Sequence, residues 1–300
     1  MMQKILFTGA SGFLGHNILP LLKRQYSVVT LGITEEDDIQ ANIAKEVPAI
    51  NEHYDYVLHA AGKAHVVPRT EAEKQAFFDV NYQGTINLCL SFERNNILPR
   101  AIVFVSTVAV YGCETGCEIT EEHPLDGTTP YAKSKIMAEE FLTKWCSEHN
   151  VKLAIIRPSL LAGHNAPGNL GAMVNAIKRG FYLNIGGGNV KKSILMVDDI
   201  AKLFPLLIDR GGVYNVCDTR QPTFGQLADS ISCQLKVRKP ISIPYWIALI
   251  MAKIGDIFGS KAPINTPKLQ KITTSLTFSN EKIRRELGWE PMDVLTNYKI

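Results

Sequence analysis

Lys4-Ile5-Leu6-Phe7-Thr8-Gly9-Ala10-Ser11-Gly12-Phe13-Leu14-Gly15 opens the chain, and its reading decides the fold. Ile5–Thr8 is a short apolar run of the kind that forms a buried strand, and Gly15–Gln25 follows a helical pattern. The three glycines between them have separate physical tasks. Gly9 permits a tight turn, Gly12 lets the backbone approach a pyrophosphate, and Gly15 lets the helix pack on the strand. The free N–H groups at the helix start, with the positive end of its dipole, favour phosphate. A strand, this turn and a helix in that order predict a bound dinucleotide.

Outward from this turn the same texture repeats. Ser27–Leu31, Tyr56–Ala60, Ala101–Ser106 and Lys152–Arg157 read as strands, while Glu71–Asn95 and Tyr131–Asn150 read as helices. Near-continuous apolar strands alternating with helices predict an α/β fold, a Rossmann-type doubly wound parallel sheet covered on both faces. After Pro158 the texture changes. Gly163–Gly171 reads as loop, Ala172–Arg179 as helix, Gly186–Gly188 as turn and Val213–Val216 as a strand returned to the first sheet. The expectation is a dinucleotide-binding domain of residues 1–157 with about 194–217, and a smaller discontinuous α/β substrate lobe of 158–193 and 218–300.

Bulk composition narrows the class. Hydrophobic residues make 46% and charged residues 20% of 300, which excludes disordered and fibrous chains. A net charge of +3 gives no broad basic field for nucleic acid, and Lys236, Arg238 and Lys239 read as a surface patch. Glu114, Glu118, Glu121 and Glu122 read as a solvated acidic loop. The six cysteines have neither zinc-knuckle nor CxxC spacing, so reduced thiols are expected. His65 and His164 lie in loops without metal-like partners, and no metal is expected. Met1 leads straight into the first strand with no signal-peptide pattern ahead of it, which suggests a soluble, cytoplasmic protein. No integral membrane segment is read. The nearest run, Ile243–Phe258, is broken by Pro244, Lys253 and Asp256 and reads as a buried or partly buried helix. Too few cations on its polar side argue against a membrane-surface helix.

Chemistry is suggested by Tyr131 and Lys135, four apart at the head of a predicted helix and so on one face. An ammonium near a phenol favours the phenolate, which could exchange a proton with an alcohol during hydride transfer. Thr107, just past the strand Ala101–Ser106, supplies a hydroxyl at the edge where doubly wound sheets bind ligands; Ser106 is its alternative. At the tip of the second strand, Leu31-Gly32-Ile33-Thr34 offers neither carboxylate nor arginine, which leaves NAD and NADP both open.

The motifs Thr8-Gly9-Ala10-Ser11-Gly12-Phe13-Leu14-Gly15, His59-Ala60-Ala61-Gly62, Val80-Asn81-Tyr82-Gln83-Gly84-Thr85, Ser106-Thr107, Val110-Tyr111-Gly112, Tyr131-x-x-x-Lys135, Arg157-Pro158 and Leu287-Gly288-Trp289-Glu290-Pro291 occur in this order. Together they resemble the extended short-chain dehydrogenases/reductases, and within these the NAD-dependent epimerase/dehydratase family of nucleotide-sugar enzymes, of the UDP-glucose 4-epimerase type.

The resemblance implies NAD or NADP held by Gly9, Ser11, Gly12, Phe13, Leu14, Gly15, Ala60, Ala61, Gly62, Asn81, Ser106, Tyr131, Lys135 and Pro158. It implies catalysis by Thr107, Tyr131 and Lys135, and substrate contact at Thr107, Asn169, Leu170 and Lys192. A homodimer through the helices 71–95 and 131–150 is a further implication. Val108-Ala109 stand where the family's dehydratases carry Asp-Glu, which disfavours water elimination, and Asn42 stands where many members have Asp toward the adenine. The expected function is therefore an NAD(P)-dependent 4-epimerase or 4-ketoreductase, on a UDP-hexose. Alternatives are a reductase of a non-sugar carbonyl, against which the Asn169 loop and Lys192 speak, and a dinucleotide-sensing regulator, against which Tyr131 and Lys135 speak.

Overall fold

The computed structural model describes residues 2–64, 66–259, 262 and 264–300. In chain order the elements are β1 (Lys4–Thr8), α1 (Phe13–Leu22), β2 (Ser27–Gly32), β3 (Ile39–Gln40), β4 (Tyr56–His59), α2 (Glu71–Phe78), α3 (Gly84–Asn95), β5 (Ala101–Val105), β6 (Gly116–Ile119), α4 (Pro130–Glu148), β7 (Lys152–Pro158), β8 (Leu160–Ala162) and α5 (Gly168–Lys178). There follow β9 (Leu183–Ile185), β10 (Ile194–Met196), α6 (Asp199–Arg210), β11 (Gly212–Val216), α7 (Phe224–Leu235), β12 (Ile241–Ile243), α8 (Tyr245–Ile257), α9 (Thr266–Thr273), β13 (Leu276–Phe278), α10 (Glu281–Leu287) and α11 (Val294–Asn297).

Seven strands form one parallel sheet in the order β11-β7-β5-β4-β1-β2-β3. Both faces are covered. Along β1, Ile5 and Phe7 enter one core with Ile18 and Leu22 of α1 and Leu203, Phe204 and Leu207 of α6. Leu6 enters the other with Leu88 and Phe92 of α3 and Leu142 and Trp145 of α4. A strand buried on both sides has no polar alternation, hence the unbroken apolar runs. Because all strands are parallel, their C-terminal ends line one edge, where Gly9, Ala60, Ser106 and the end of β7 at Pro158 follow one another.

Outside this sheet, β8 pairs with β10, β9 with β12 and β6 with β13, all parallel. Leu170, Met173 and Ile177 of α5 pack with Leu227 and Ile231 of α7 and with Val294 and Tyr298. A smaller cluster joins Ala248 and Ala252 of α8 to Leu269 of α9.

The helix expected over 71–95 is interrupted by one π turn at Asp79–Gln83, and the interruption turns Asn81 inward. Helix α1 begins two residues earlier than its pattern suggested, directly after Gly12. The two-residue β3 extends the sheet and escaped the sequence reading because so short a strand has no periodicity. The expected acidic loop is not simply solvated. Glu121 accepts the Asn215 N–H at 2.8 Å, Glu118 accepts from Gln221 at 2.9 Å and Glu114 pairs with Lys271 at 3.1 Å. All six cysteines are unpaired. Among the described residues no helix is long and apolar enough to cross a membrane.

Candidate active site

The glycine turn is built as its spacing requires. Gly9 has φ of +80°, and a Cβ there would stand 2.6 Å from the Ala61 nitrogen. Gly15 lies so close to the turn that a Cβ would stand 2.2 Å from the Ala10 carbonyl oxygen. At Gly12 the protein demands less, since a Cβ would meet only the Gly9 oxygen at 3.3 Å. Gly12 caps α1 without a side-chain bond, which leaves the first-turn N–H groups bare beside open space. That arrangement fits a pyrophosphate. Ser11, Phe13 and Leu14 complete the turn, with Phe13 and Leu14 packed at the edge of the core beneath it.

A buried chain of hydrogen bonds ties this turn to the next loop. Thr85 Oγ1 donates to the Asn81 carbonyl at 2.7 Å, so it accepts from His59 Nε2 at 2.9 Å. The imidazole proton therefore sits on Nε2, and Nδ1 accepts from Thr8 Oγ1 at 2.7 Å. Thr8 Oγ1 in turn accepts the Ala61 N–H at 3.1 Å. Burial, with the Lys135 charge adding to it, draws His59 down to about 3, so the ring stays neutral. Asn81 accepts the Lys63 N–H at 2.7 Å and donates to Ser134 Oγ at 2.9 Å, which clamps the Ala60–Lys63 loop to α4. A Cβ on Gly62 would stand 3.2 Å from Lys135 Nζ, so loop and lysine share one place.

Helix α4 starts with Thr129 accepting the Ala132 N–H at 3.1 Å and with Pro130 as its first residue. This start places Tyr131 and Lys135 on one stripe. The Thr107 hydroxyl faces the Tyr131 phenol and favours its ionised form, and Thr107 also accepts the Ala109 N–H at 3.2 Å. Lys135 is 3% exposed and donates to the Val105 carbonyl at 2.8 Å. Burial draws its ammonium down to about 8, with Glu139 pulling the other way. The phenol of Tyr131 is raised by burial, opposed by the Thr107 hydroxyl. The expectation that a nearby ammonium dominates the phenol therefore gives way to desolvation in this state. Of the two neighbouring hydroxyls, Thr107 meets Tyr131, whereas Ser106 donates to Glu139 and is buried.

Residues 5–217 match the NAD dependent epimerase/dehydratase family. The chain belongs to that family. The N-acetyl-alpha-D-glucosaminyl-diphospho-ditrans,octacis-undecaprenol 4-epimerase of Escherichia coli O157:H7 is 27% identical over 303 residues, which cover 94% of this chain and 89% of that protein. The UDP-glucose 4-epimerase of Vibrio cholerae is 26% identical over 316 residues, 98% of this chain and 93% of that one. The UDP-glucose 4-epimerase of Thermotoga maritima, solved with UDP-glucose, shares the fold with a TM-score of 0.74 at 20% identity over 99% of this chain and 96% of that one. RMD of Pseudomonas aeruginosa, solved with NADPH, shares it with a TM-score of 0.73 at 21% identity over 99% and 96%.

For this member of the family, several residues around the candidate site escaped the sequence reading. Glu139 continues the Tyr131–Lys135 stripe by four more residues, a spacing that could have flagged it. Its carboxylate takes Arg157 Nη2 at 2.6 Å and Nε at 3.2 Å. Arg157 Nη1 donates to Tyr111 at 3.0 Å, and Tyr111 donates to Asn215 at 2.6 Å. Asp37 corrects the empty tip of β2. Its carboxylate lies against Gly32, where a Cβ would stand 2.3 Å from Oδ2, and that oxygen accepts the Thr34 N–H at 3.0 Å and hydroxyl at 2.7 Å. The turn between β2 and β3 folds it back from five residues further on. Ser159 follows Pro158 and is buried, and its hydroxyl finds no partner among the described residues.

Other expected positions are more modest. Asn42 holds its own turn by accepting the Ala44 N–H at 3.1 Å. Asn169 is exposed in the first turn of α5, which has no side-chain cap. The side chain of Leu170 is in the core with Met173, so only its backbone could meet a ligand. Lys192 is half-buried where residues 191–193 bridge to β13, and burial lowers its ammonium. The backbone of His164 is held by Asn17 at 3.2 Å. His65 lies outside the described residues. Among the described residues no group of three or more His, Cys, Asp or Glu side chains comes together as a metal site would need.

Proposed function

We propose that this protein is a nucleotide-sugar 4-epimerase or 4-ketoreductase acting on a UDP-hexose. The observation that carries the reading is the Thr107–Tyr131 hydroxyl pair beside buried Lys135 at the C-terminal edge of the sheet. Within the family, that arrangement suits proton exchange with a carbinol oxygen. The dinucleotide, when bound, supplies hydride acceptance and return. Thr107 holds the sugar C4 oxygen, and Tyr131 takes its proton and gives it back. Lys135 sets the local charge and holds the nicotinamide ribose.

The cofactor is held by Gly9, Ser11, Gly12, Phe13, Leu14 and Gly15, by Ala60, Ala61, Gly62 and Asn81, and by Ser106 and Pro158. Ser106 acts through Glu139. The unpartnered Ser159 hydroxyl, next to Pro158, suits a hydrogen bond to bound ligand. Asp37 favours NAD over NADP, because a carboxylate at the end of the second strand accepts from a ribose hydroxyl and repels a 2′-phosphate. The first turn of α5 at Asn169 and Leu170, together with Lys192, suits the substrate diphosphate. Residues 1–157 with 194–217 form the dinucleotide lobe, and 158–193 with 218–300 the substrate lobe. A cytoplasmic homodimer completes the reading. Six unpaired cysteines fit the compartment, and α4 packed beside α2 and α3 offers the helix pair.

The E. coli relative is named for a sugar on a lipid diphosphate, and a lipid-borne sugar is a second reading here. The exposed apolar side of α8 favours it.

Turnover of UDP-sugars by the purified protein, with and without added NADH or NADPH, tests the proposal. Interconversion of C4 epimers without net cofactor use marks an epimerase, and oxidation of NADH or NADPH by a 4-keto sugar marks a reductase. Tyr131→Phe is expected to lower either rate at least a hundredfold. An unchanged rate sinks the catalytic assignment.

A further inference from the structure

Helix α8 is partly buried, as its sequence suggested, and small residues form its covered face. Its inner face is Ala248, Ala252 and Gly255, and a Cβ on Gly255 would stand only 1.8 Å from the Ile264 carbonyl oxygen. Small residues let the helix lie close to the chain beneath it. The large side chains are left on the other side. Trp246, Ile250, Met251, Ile254, Ile257 and Phe258 are between 40% and 81% exposed. Positions 246, 250, 254 and 257 form one helical stripe. The β9–β12 pair, whose Ile185 and Ile243 pack against the buried side of α8, leaves apolar side chains outside as well. Ile241, 72% exposed, pairs in register with Leu183, two residues from Phe181, which is 78% exposed. Large exposed apolar side chains concentrated on adjoining elements in this way mark an interaction site.

Charge indicates the partner. Residues 236–273 carry seven Lys and Arg against the single Asp256, a net of +6, in a chain whose total is +3. The remainder of the molecule is therefore net negative. Lys236 and Arg238, in the turn that leads to β12, and Lys253 on α8 are exposed and make no ion pair among the described residues. Lys239 and Lys271 are paired, with Asp229 and Glu114. The cations that α8 lacks on its own polar side are thus supplied by its neighbours. The helix has 13 residues, about 20 Å at 1.5 Å each, too short to cross a hydrocarbon core of about 30 Å. Trp246 and Tyr245 at its start are amphipathic side chains of the kind that settle at headgroup level.

We propose that α8, with Phe181 and Ile241, docks this protein on an anionic lipid surface, the helix lying in the headgroup plane. Tyr245 also lines a cavity of about 280 Å³ with Ile185, Asn189, Val190, Thr273 and Ser275, and this cavity adjoins the Lys191–Lys192 segment. Docking brings that cavity to the lipid surface. It does not depend on the sugar-nucleotide reading, and its test reads lipid binding without turnover.

The test is sedimentation of the full chain with vesicles of phosphatidylcholine alone and of phosphatidylcholine with phosphatidylglycerol. Binding is expected to the anionic vesicles, weakening as salt rises. Trp145 and Trp289 are buried, at 4% and 5%, so a blue shift of tryptophan emission on binding reports Trp246. The triple change Lys236→Glu, Arg238→Glu, Lys239→Glu is expected to lower partitioning on the order of a hundredfold, at about fivefold per basic residue. Ile250→Asp with Ile254→Asp should abolish binding and leave the melting temperature unchanged, since both side chains face outward. The proposal is overturned if the chain ignores anionic vesicles. It is equally overturned if the chain forms a dimer that Ile250→Asp dissolves, for then the face is a subunit contact.

Discussion

Arg157 grips Glu139 with two N–H groups, at 2.6 Å and 3.2 Å, and both residues are at most 5% exposed. The same carboxylate accepts from Ser106 and lies one helical turn beyond Lys135. One acidic group thus joins α4 to β7 and to the strand end that carries Thr107. Removing either partner leaves a buried charge without compensation. Glu139→Ala is expected to lose about 3–5 kcal/mol in urea unfolding. Glu139 also opposes the depression of Lys135, so the same variant should lower the pH at which Lys135 gives up its proton.

Gly12 and Gly15 separate dinucleotide binding from folding. Gly15→Ala would drive a Cβ onto the Ala10 carbonyl at 2.2 Å, so thermal unfolding should fall sharply. Gly12→Ala meets only the Gly9 oxygen at 3.3 Å, and its melting temperature should stay near that of the parent. Its affinity for NAD, measured by titration calorimetry, should fall at least tenfold, because the methyl group occupies the pyrophosphate's approach. Equal loss of stability in both variants would contradict this division.

His59 should make the fold acid-sensitive. Its folded pKa of about 3 lies below the usual 6.5, so between these values the unfolded chain binds the extra proton. Stability from this residue is present above 6.5 and falls as pH drops toward 3, by up to about 1.4 kcal/mol per pH unit. Asp199, raised to about 6, works in the opposite sense from 6 down to 3.8 and offsets part of the slope. The difference between parent and His59→Asn in unfolding experiments at pH 7 and pH 4 isolates the histidine. The variant should be less stable at pH 7 and lose less on acidification.

Asp37 should set the choice of dinucleotide. Its Oδ2 is committed to Thr34, and its other oxygen makes no hydrogen bond among the described residues. Asp37→Ala is expected to weaken NAD binding and strengthen NADP binding, shifting the ratio of dissociation constants at least tenfold. An unchanged ratio would mean that the carboxylate only holds its turn.

The sequence by itself determined the sheet and the position of its edge. Short-range sterics and periodicity carry that information. A glycine at φ of +80° can be read locally, and so can a strand buried on both faces or a Tyr-Lys pair one helical turn apart. Only the tertiary structure decided the rest. Asp37 reaches Gly32 because a turn returns the chain, and no spacing rule fixes where such a turn ends. His59 is neutral because Thr8 and Thr85, 51 and 26 residues away, close around it. Which face of α8 is covered was decided by tertiary packing for a related reason. Apolarity along a helix shows that it has apolar faces but not which face is covered. Here Ala248, Ala252 and Gly255 made the closest packing and left the larger side chains outside.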